Sequence, residues 1–149
     1  MKARTVKGLR PWTRLDDAAE RIVCERLDEL WALGSEAAAT GATETLHDLR
    51  IAAKRLRYVL EILGHTIGPY AEKATAQAKS LQDLLGDLHD CDVLLPRLEG
   101  EADLAEVADH LAARRARLHT EFDELWLDLE RRGVRARLEF AAKERPAGC

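Results

Sequence analysis

The sequence predicts an all-α protein: an antiparallel four-helix bundle with a short fifth helix at its C-terminal end. Three observations carry that expectation. Leu and Ala supply most of the apolar residues, aromatic residues make up 5% of the chain and charged residues 34%, a balance that suits helices better than sheets. Apolar side chains recur at three- and four-residue intervals through four long stretches. Glycine- or proline-bearing breaks separate those stretches, so the links are short and neighbouring helices turn back on one another. At 149 residues the chain suits one domain with a substantial core. It divides into a basic arm over 1–13, a bundle over 14–145 and a tail over 146–149 expected to fray.

Thr13, with Asp16 three residues later, is a candidate N-cap pair for the first helix. That helix runs from about Arg14 to Leu33, with Leu15, Ala19, Ile22, Val23, Leu27, Leu30 and Trp31 as its inner stripe. Residues 34–42, small and polar with Gly41, read as a loop. Thr43 or Thr45 caps the second helix, which Gly64 ends. Gly68-Pro69 introduces a third helix from about Tyr70 to Leu95, stopped by Pro96. Leu81, Leu84, Leu85, Leu88 and Leu95 form its buried stripe; Lys79, Gln82, Gly86 and Asp90 line its other side. Gly86 in mid-helix costs about 1 kcal/mol against Ala, which suggests close approach of a backbone or a ligand. After Gly100 a fourth helix covers Glu101 to Arg131. Its Leu104, Ala108, Leu111, Arg115, Leu118, Phe122, Leu125 and Leu129 make a near-heptad seam, suited to a bundle or a coiled-coil partner. Gly133 precedes a short fifth helix over Val134–Lys143. Trp31 and Trp126 are expected in the core, with Trp12 covering the end of the bundle.

The net charge of −4 rules out a generally basic surface, so any anion binding must be local. Lys2, Arg4, Lys7, Arg10 and Arg14 form an acid-free arm over residues 1–15. Cys24, Cys91 and Cys149 have no motif spacing, and the first two read as reduced core residues. The start of the chain lacks the apolar core of a signal peptide, and no apolar run is long enough to span a membrane. A cytoplasmic protein with no membrane partner is the expectation.

The second helix, LHDLRIAAKRLRYVLEIL over residues 46–63, carries the least ordinary pattern. At 100° per residue, His47, Arg50, Lys54, Arg57, Tyr58 and Glu61 share one side, and Leu49, Ala53, Leu56, Leu60 and Leu63 the other. Surface helices usually mix signs at i,i+4. Here three cations and an imidazole stack with no acid before Glu61, so an anion or a carboxylate from elsewhere must neutralise them. Arg55 points away from this rail, and Arg10 and Arg14 would extend it only if the arm folds over it.

LHDLRIAAKRLRYVLEIL followed by KSLQDLLGDLHDCDVLL resembles the CHAD domain, the conserved-histidine α-helical domain, over roughly Leu46 to Leu95. His47, Arg50, Lys54 and Arg57 meet the family's pattern of a His, an Arg three later and basic residues on the next turns; Tyr58 and Glu61 also fit. Lys79, Gln82, Leu85, Gly86 and Asp90 resemble the neighbouring helix. The resemblance implies a non-catalytic, cofactor-free module that binds inorganic polyphosphate, often on polyphosphate granules, with contacts at His47, Arg50, Lys54, Arg57, Tyr58 and Lys79. Family members commonly hold two such bundles and this chain supplies about one, so a homodimer that rebuilds the pair, or a reduced form, is implied. The chemistry suits the ligand. Helix turns bring a cation every 5.4 Å, arginines fork onto phosphate oxygens, and His47 stands near a helix N-terminus, itself favourable to anions.

Two other readings start from the same residues. His47-Asp48 and His89-Asp90 are two HD dipeptides of the kind that hold divalent metals in helical phosphohydrolases. Adjacent helical residues diverge by about 100°, however, so one dipeptide does not aim both side chains at one ion. Alternatively the rail is structural and neutralises Asp83, Asp87 and Asp90 within the bundle. Specific nucleic-acid readout is not expected, because Tyr58 is the rail's single stacking residue and no recognition motif is present.

Overall fold

The computed structural model describes residues 1–144; the expected fraying tail lies outside them. Five α helices account for most of the chain: α1 Leu15–Thr40, α2 Thr43–Ile67, α3 Tyr70–Leu98, α4 Ala105–Arg131 and α5 Val134–Lys143, with a 3-10 turn at Ala102–Leu104. No strand occurs among the described residues.

Two-residue links reverse the chain on either side of α2. Gly64 meets Ala71, Arg50 lies over Gly86 and His47 stacks on His89, so α3 retraces α2 in the opposite direction. α1 and α2 also run antiparallel, Thr45 meeting Glu36 and Arg55 meeting Glu29, and α4 packs along α3. α1 and α4 touch little, and α5 fills in by packing against α1, α3 and α4. The core is drawn from every α helix: Val23, Leu27, Leu49, Leu60, Leu81, Leu85, Phe122 and Leu138 are among its most buried members. The α4 seam is used inside the chain over its C-terminal half, where Leu118, Phe122 and Leu129 are buried. At its other end Leu104 is exposed, and Arg115 pairs with Asp92 of α3.

The structure corrects several boundaries. α1 continues seven residues past Leu33, so residues 34–40 are helix rather than loop. The Ala-rich run at 37–39 favours helix, and Gly41, at φ 61°, is the true terminator, its N–H bonded to the Ala37 carbonyl at 2.8 Å. Gly34 is there because Trp126 lies on it: a Cβ would stand 1.9 Å from the indole. Gly64 lies inside α2, which ends instead at Gly68. Pro96 lies inside α3, where the helix forfeits one N–H bond and still reaches Leu98. The expected side-chain caps do not form. Thr13 Oγ1 accepts from the Arg10 N–H at 2.8 Å, Thr43 is already helical, and Thr45 turns to Glu36 at 3.3 Å. Trp31 and Trp126 are core residues as expected, 5.0 Å apart. Trp12 covers nothing and is 81% exposed. Cys24 is half-buried and Cys91 buried, both as free thiols.

The basic arm lies on the α1–α2 face. Glu29 of α1, only 2% exposed, organises it. Its carboxylate accepts from Arg26 at 2.6 Å, from Arg55 of α2 at 3.2 Å and from the Arg4 N–H at 3.4 Å. Arg26 also donates to the Arg4 carbonyl, and Arg55 to the Met1 carbonyl at 2.7 Å. Arg55 points about 120° away from the rail's centre, so this anchorage keeps the first residues off the rail.

Candidate anion-binding site

The cationic side of α2 faces α3 along the seam between them. His47, Arg50 and Arg57 are half-buried there, while Lys54, Tyr58 and Glu61 stand in solvent.

Each buried member has a polar atom without a partner in the protein. His47 Nδ1, Arg50 Nε and Arg57 Nε are all inaccessible to solvent and make no hydrogen bond, as is Gln82 Oε1 on the facing side of α3. These are four of the five such atoms found among the described residues; the fifth is Gln77 Oε1. Buried polar groups are nearly always satisfied, so their concentration on one seam is the main anomaly of the fold. Arg57 Nε does lie 3.3 Å from Glu61 Oε1. That contact is an attraction between charges, not a hydrogen bond, because the N–H is not aimed at the oxygen. The Arg57 guanidinium also covers the Tyr58 ring at 4.7 Å, with the Lys54 ammonium 5.8 Å from the same ring.

Across the seam, α3 offers room and a second imidazole. A Cβ at Gly86 would meet only Arg50 Nε, at 3.5 Å, so Gly86 makes space for a guanidinium and not for a backbone. The His47 and His89 rings stack at 4.7 Å, inclined by 32°. Lys79, level with Arg57 in this register, is exposed and paired with Asp83 at 2.6 Å. It borders an open groove of about 450 Å³ together with Glu61, Gly64 and Thr75.

The acids of α3 do not neutralise α2. Asp83 pairs with Lys79, Asp87 with Arg114 at 3.8 Å and Asp92 with Arg115; Asp90 is exposed. Arg50 and Lys54 form no ion pair among the described residues. His47 and His89 come together without their adjacent carboxylates, and no group of three or more metal-binding side chains occurs among the described residues. Of the residues named from the sequence, His47, Arg50, Lys54, Arg57 and Tyr58 form one continuous surface, and Lys79 stands across from its Arg57 end. Periodicity missed His89, although HD spacing had marked it for another reason. It also missed Gln82's buried oxygen.

These features define a class: an all-helical bundle with a cationic seam between two adjacent helices. The chain belongs to the CHAD domain family, whose profile matches residues 2–99, about two thirds of the sequence. The match spans the arm and α1–α3, leaving α4 and α5 outside it. CHAD domains are associated in general with polyphosphate binding and are generally binding rather than catalytic domains. No curated protein and no solved structure matches the chain. No helix among the described residues is long and apolar enough to cross a membrane.

Proposed function

We propose that the α2–α3 seam binds inorganic polyphosphate and performs no catalysis of its own. The supporting observation is the set of buried polar atoms on His47, Arg50 and Arg57 that find no partner in the protein. An unsatisfied buried polar group costs about 1–3 kcal/mol, and a phosphate chain that draws these side chains outward along α2 would relieve that cost. Lys54 then supplies a point charge at the outer edge, Tyr58 holds Arg57 and Lys54 in place through its ring, and Lys79 meets the chain from α3 by exchanging Asp83 for phosphate. A polyphosphate granule is the natural location for such a module.

The structural reading of the rail is disfavoured because Asp83 and Asp87 are engaged elsewhere and Asp90 is exposed. The metal-dependent reading is disfavoured because the two imidazoles meet without a carboxylate. A second copy of the chain, which would restore a two-bundle surface, fits best against the exposed Val93, Leu94, Leu104 and Val107 around the α3–α4 link.

The test is binding of long-chain polyphosphate to the purified protein across a salt series, with DNA as competitor. Affinity should fall steeply with salt as counterions are released, persist against DNA and disappear in the Arg50→Glu/Arg57→Glu variant with its melting temperature retained. A folded protein that binds no polyphosphate at low salt would overturn the proposal, and a variant that melts early would favour the structural reading.

A further inference from the structure

The N-terminal arm presents a second charged surface, remote from the seam and of different composition. Lys2, Arg4, Lys7, Arg10 and Arg14 are all exposed, and no acid occurs before Asp16. Arg14 pairs with Asp16 at 3.2 Å; the other four make no ion pair among the described residues. Arg21 of α1 joins them, its guanidinium lying against Gly8, where the arm turns at φ 79°. Among these cations stand bare apolar side chains: Leu9, Trp12 and Leu15, exposed by 39%, 81% and 55%. Ile62 adds to them at 69% exposure. It lies two turns beyond Arg55 on the same face of α2, the face on which the arm is anchored.

We propose that this strap is a peripheral docking surface for an anionic lipid bilayer. Charge complementarity selects the partner: clustered Lys and Arg without intervening acids are drawn to acidic headgroups, and the attraction adds up per residue. The apolar members select a bilayer over a soluble polyanion. Phosphate chains have nothing to offer Leu9, Leu15 or Ile62, whereas the headgroup boundary accepts an indole, with its apolar body and its N–H donor, together with short aliphatic side chains. The contact is peripheral, since no helix among the described residues is long and apolar enough to cross the bilayer. The strap is also ordered beforehand. Glu29, Arg26 and Arg55 hold its first residues and Arg21 backs its turn, so docking need not fold the segment.

Co-sedimentation of the full chain with lipid vesicles tests this. The protein should sediment with phosphatidylcholine vesicles rich in phosphatidylglycerol and remain in solution with phosphatidylcholine alone. Trp12→Ala and Lys7→Glu/Arg10→Glu should each weaken sedimentation at least tenfold. All of these positions are exposed, so the fold should survive, and circular dichroism checks it. Arg50→Glu/Arg57→Glu should leave vesicle binding unchanged, while Trp12→Ala leaves polyphosphate binding unchanged; the two surfaces thus stand or fall separately. Absence of sedimentation with acidic vesicles would overturn the inference. So would sedimentation that ignores Trp12 or is lost in the Arg50→Glu/Arg57→Glu variant, which would assign the lipid phosphates to the seam.

Discussion

Glu29 Oε1 holds the Arg55 guanidinium at 3.2 Å, and this pairing sorts the cations of α2 into two kinds. Arg55 is held on the α1 side, where a buried carboxylate and the Met1 carbonyl satisfy it. On the α3 side, Arg50 has no carboxylate at its buried Nε, and Arg57 has only the exposed Glu61, 3.3 Å away and not hydrogen-bonded to it. One helix therefore carries arginines in two kinds of surroundings, two positions apart at Arg55 and Arg57.

Glu29→Gln should be severely destabilising. It leaves Arg26 and Arg55 beside a neutral amide, and breaking a buried charge pair from one side costs about 3 kcal/mol or more. Denaturant unfolding would measure the loss. Limited proteolysis should show the arm cut first, because its Arg4 anchorage depends on the same carboxylate. Polyphosphate affinity per folded molecule should hardly change.

Gly86 separates helix stability from binding. A Cβ there would sit at ordinary contact distance, 3.5 Å from Arg50 Nε. Gly86→Ala is therefore expected to stabilise the protein by up to about 1 kcal/mol through helix propensity and to keep binding. Gly86→Leu should push Arg50 out of the seam and weaken polyphosphate binding several-fold at unchanged or higher melting temperature. Equal binding by both variants would remove Arg50's position from the account.

Gly34 and Trp126 should be strongly coupled. Gly34→Ala places a methyl 1.9 Å from the indole, which is itself packed on Trp31 at 5.0 Å. Overpacking of this kind costs about 3 kcal/mol. Trp126→Leu alone should also destabilise, by leaving a cavity. The double variant should be less damaged than the two losses added together, because the smaller side chain makes room for the methyl.

Burial raises the pKa of Cys24, opposed by the Lys143 ammonium and reinforced by the Glu139, Glu20 and Asp28 carboxylates. A thiol whose folded pKa lies above its unfolded one stabilises the fold while protonated. That contribution is present below the ordinary thiol range and is lost as pH rises through the raised folded value. In a Cys149→Ser background, alkylation at mildly alkaline pH should be much slower for the native protein than for the unfolded chain. Stability should decline as pH climbs above the ordinary thiol range.

Helix number, order and the inward stripe of α2 were legible because they depend on local periodicity, and the stripe facing α3 was legible for the same reason. What could not be read locally was set by tertiary partners. Gly34 looked like a loop residue because nothing near it in sequence announces the indole 92 positions on. Gly64 and Pro96 looked like terminators, yet the close approach of Ala71 and the packing of α3 carry the helices through them. Arg55 and Arg57 differ in surroundings more than in sequence. Periodicity put Arg55 off the rail, but the carboxylate that holds it there, Glu29, lies a full helix away. The stack of His47 on His89 required the antiparallel register of α2 and α3, which periodicity leaves undetermined.

On the proposed function, the row of unmatched polar atoms bears on the length of phosphate chain that the seam would hold. From His47 to Arg57 the α2 axis rises about 15 Å, at 1.5 Å per residue. A phosphate chain shorter than that can answer one of these side chains or two but must leave another unanswered. One that spans it answers all three without bending, since the side chains lie along a straight helix. The protein should therefore act as a ruler with a threshold. Below that length affinity climbs with each phosphate added, and beyond it further phosphates add only the more numerous ways of sliding a long chain across a short track.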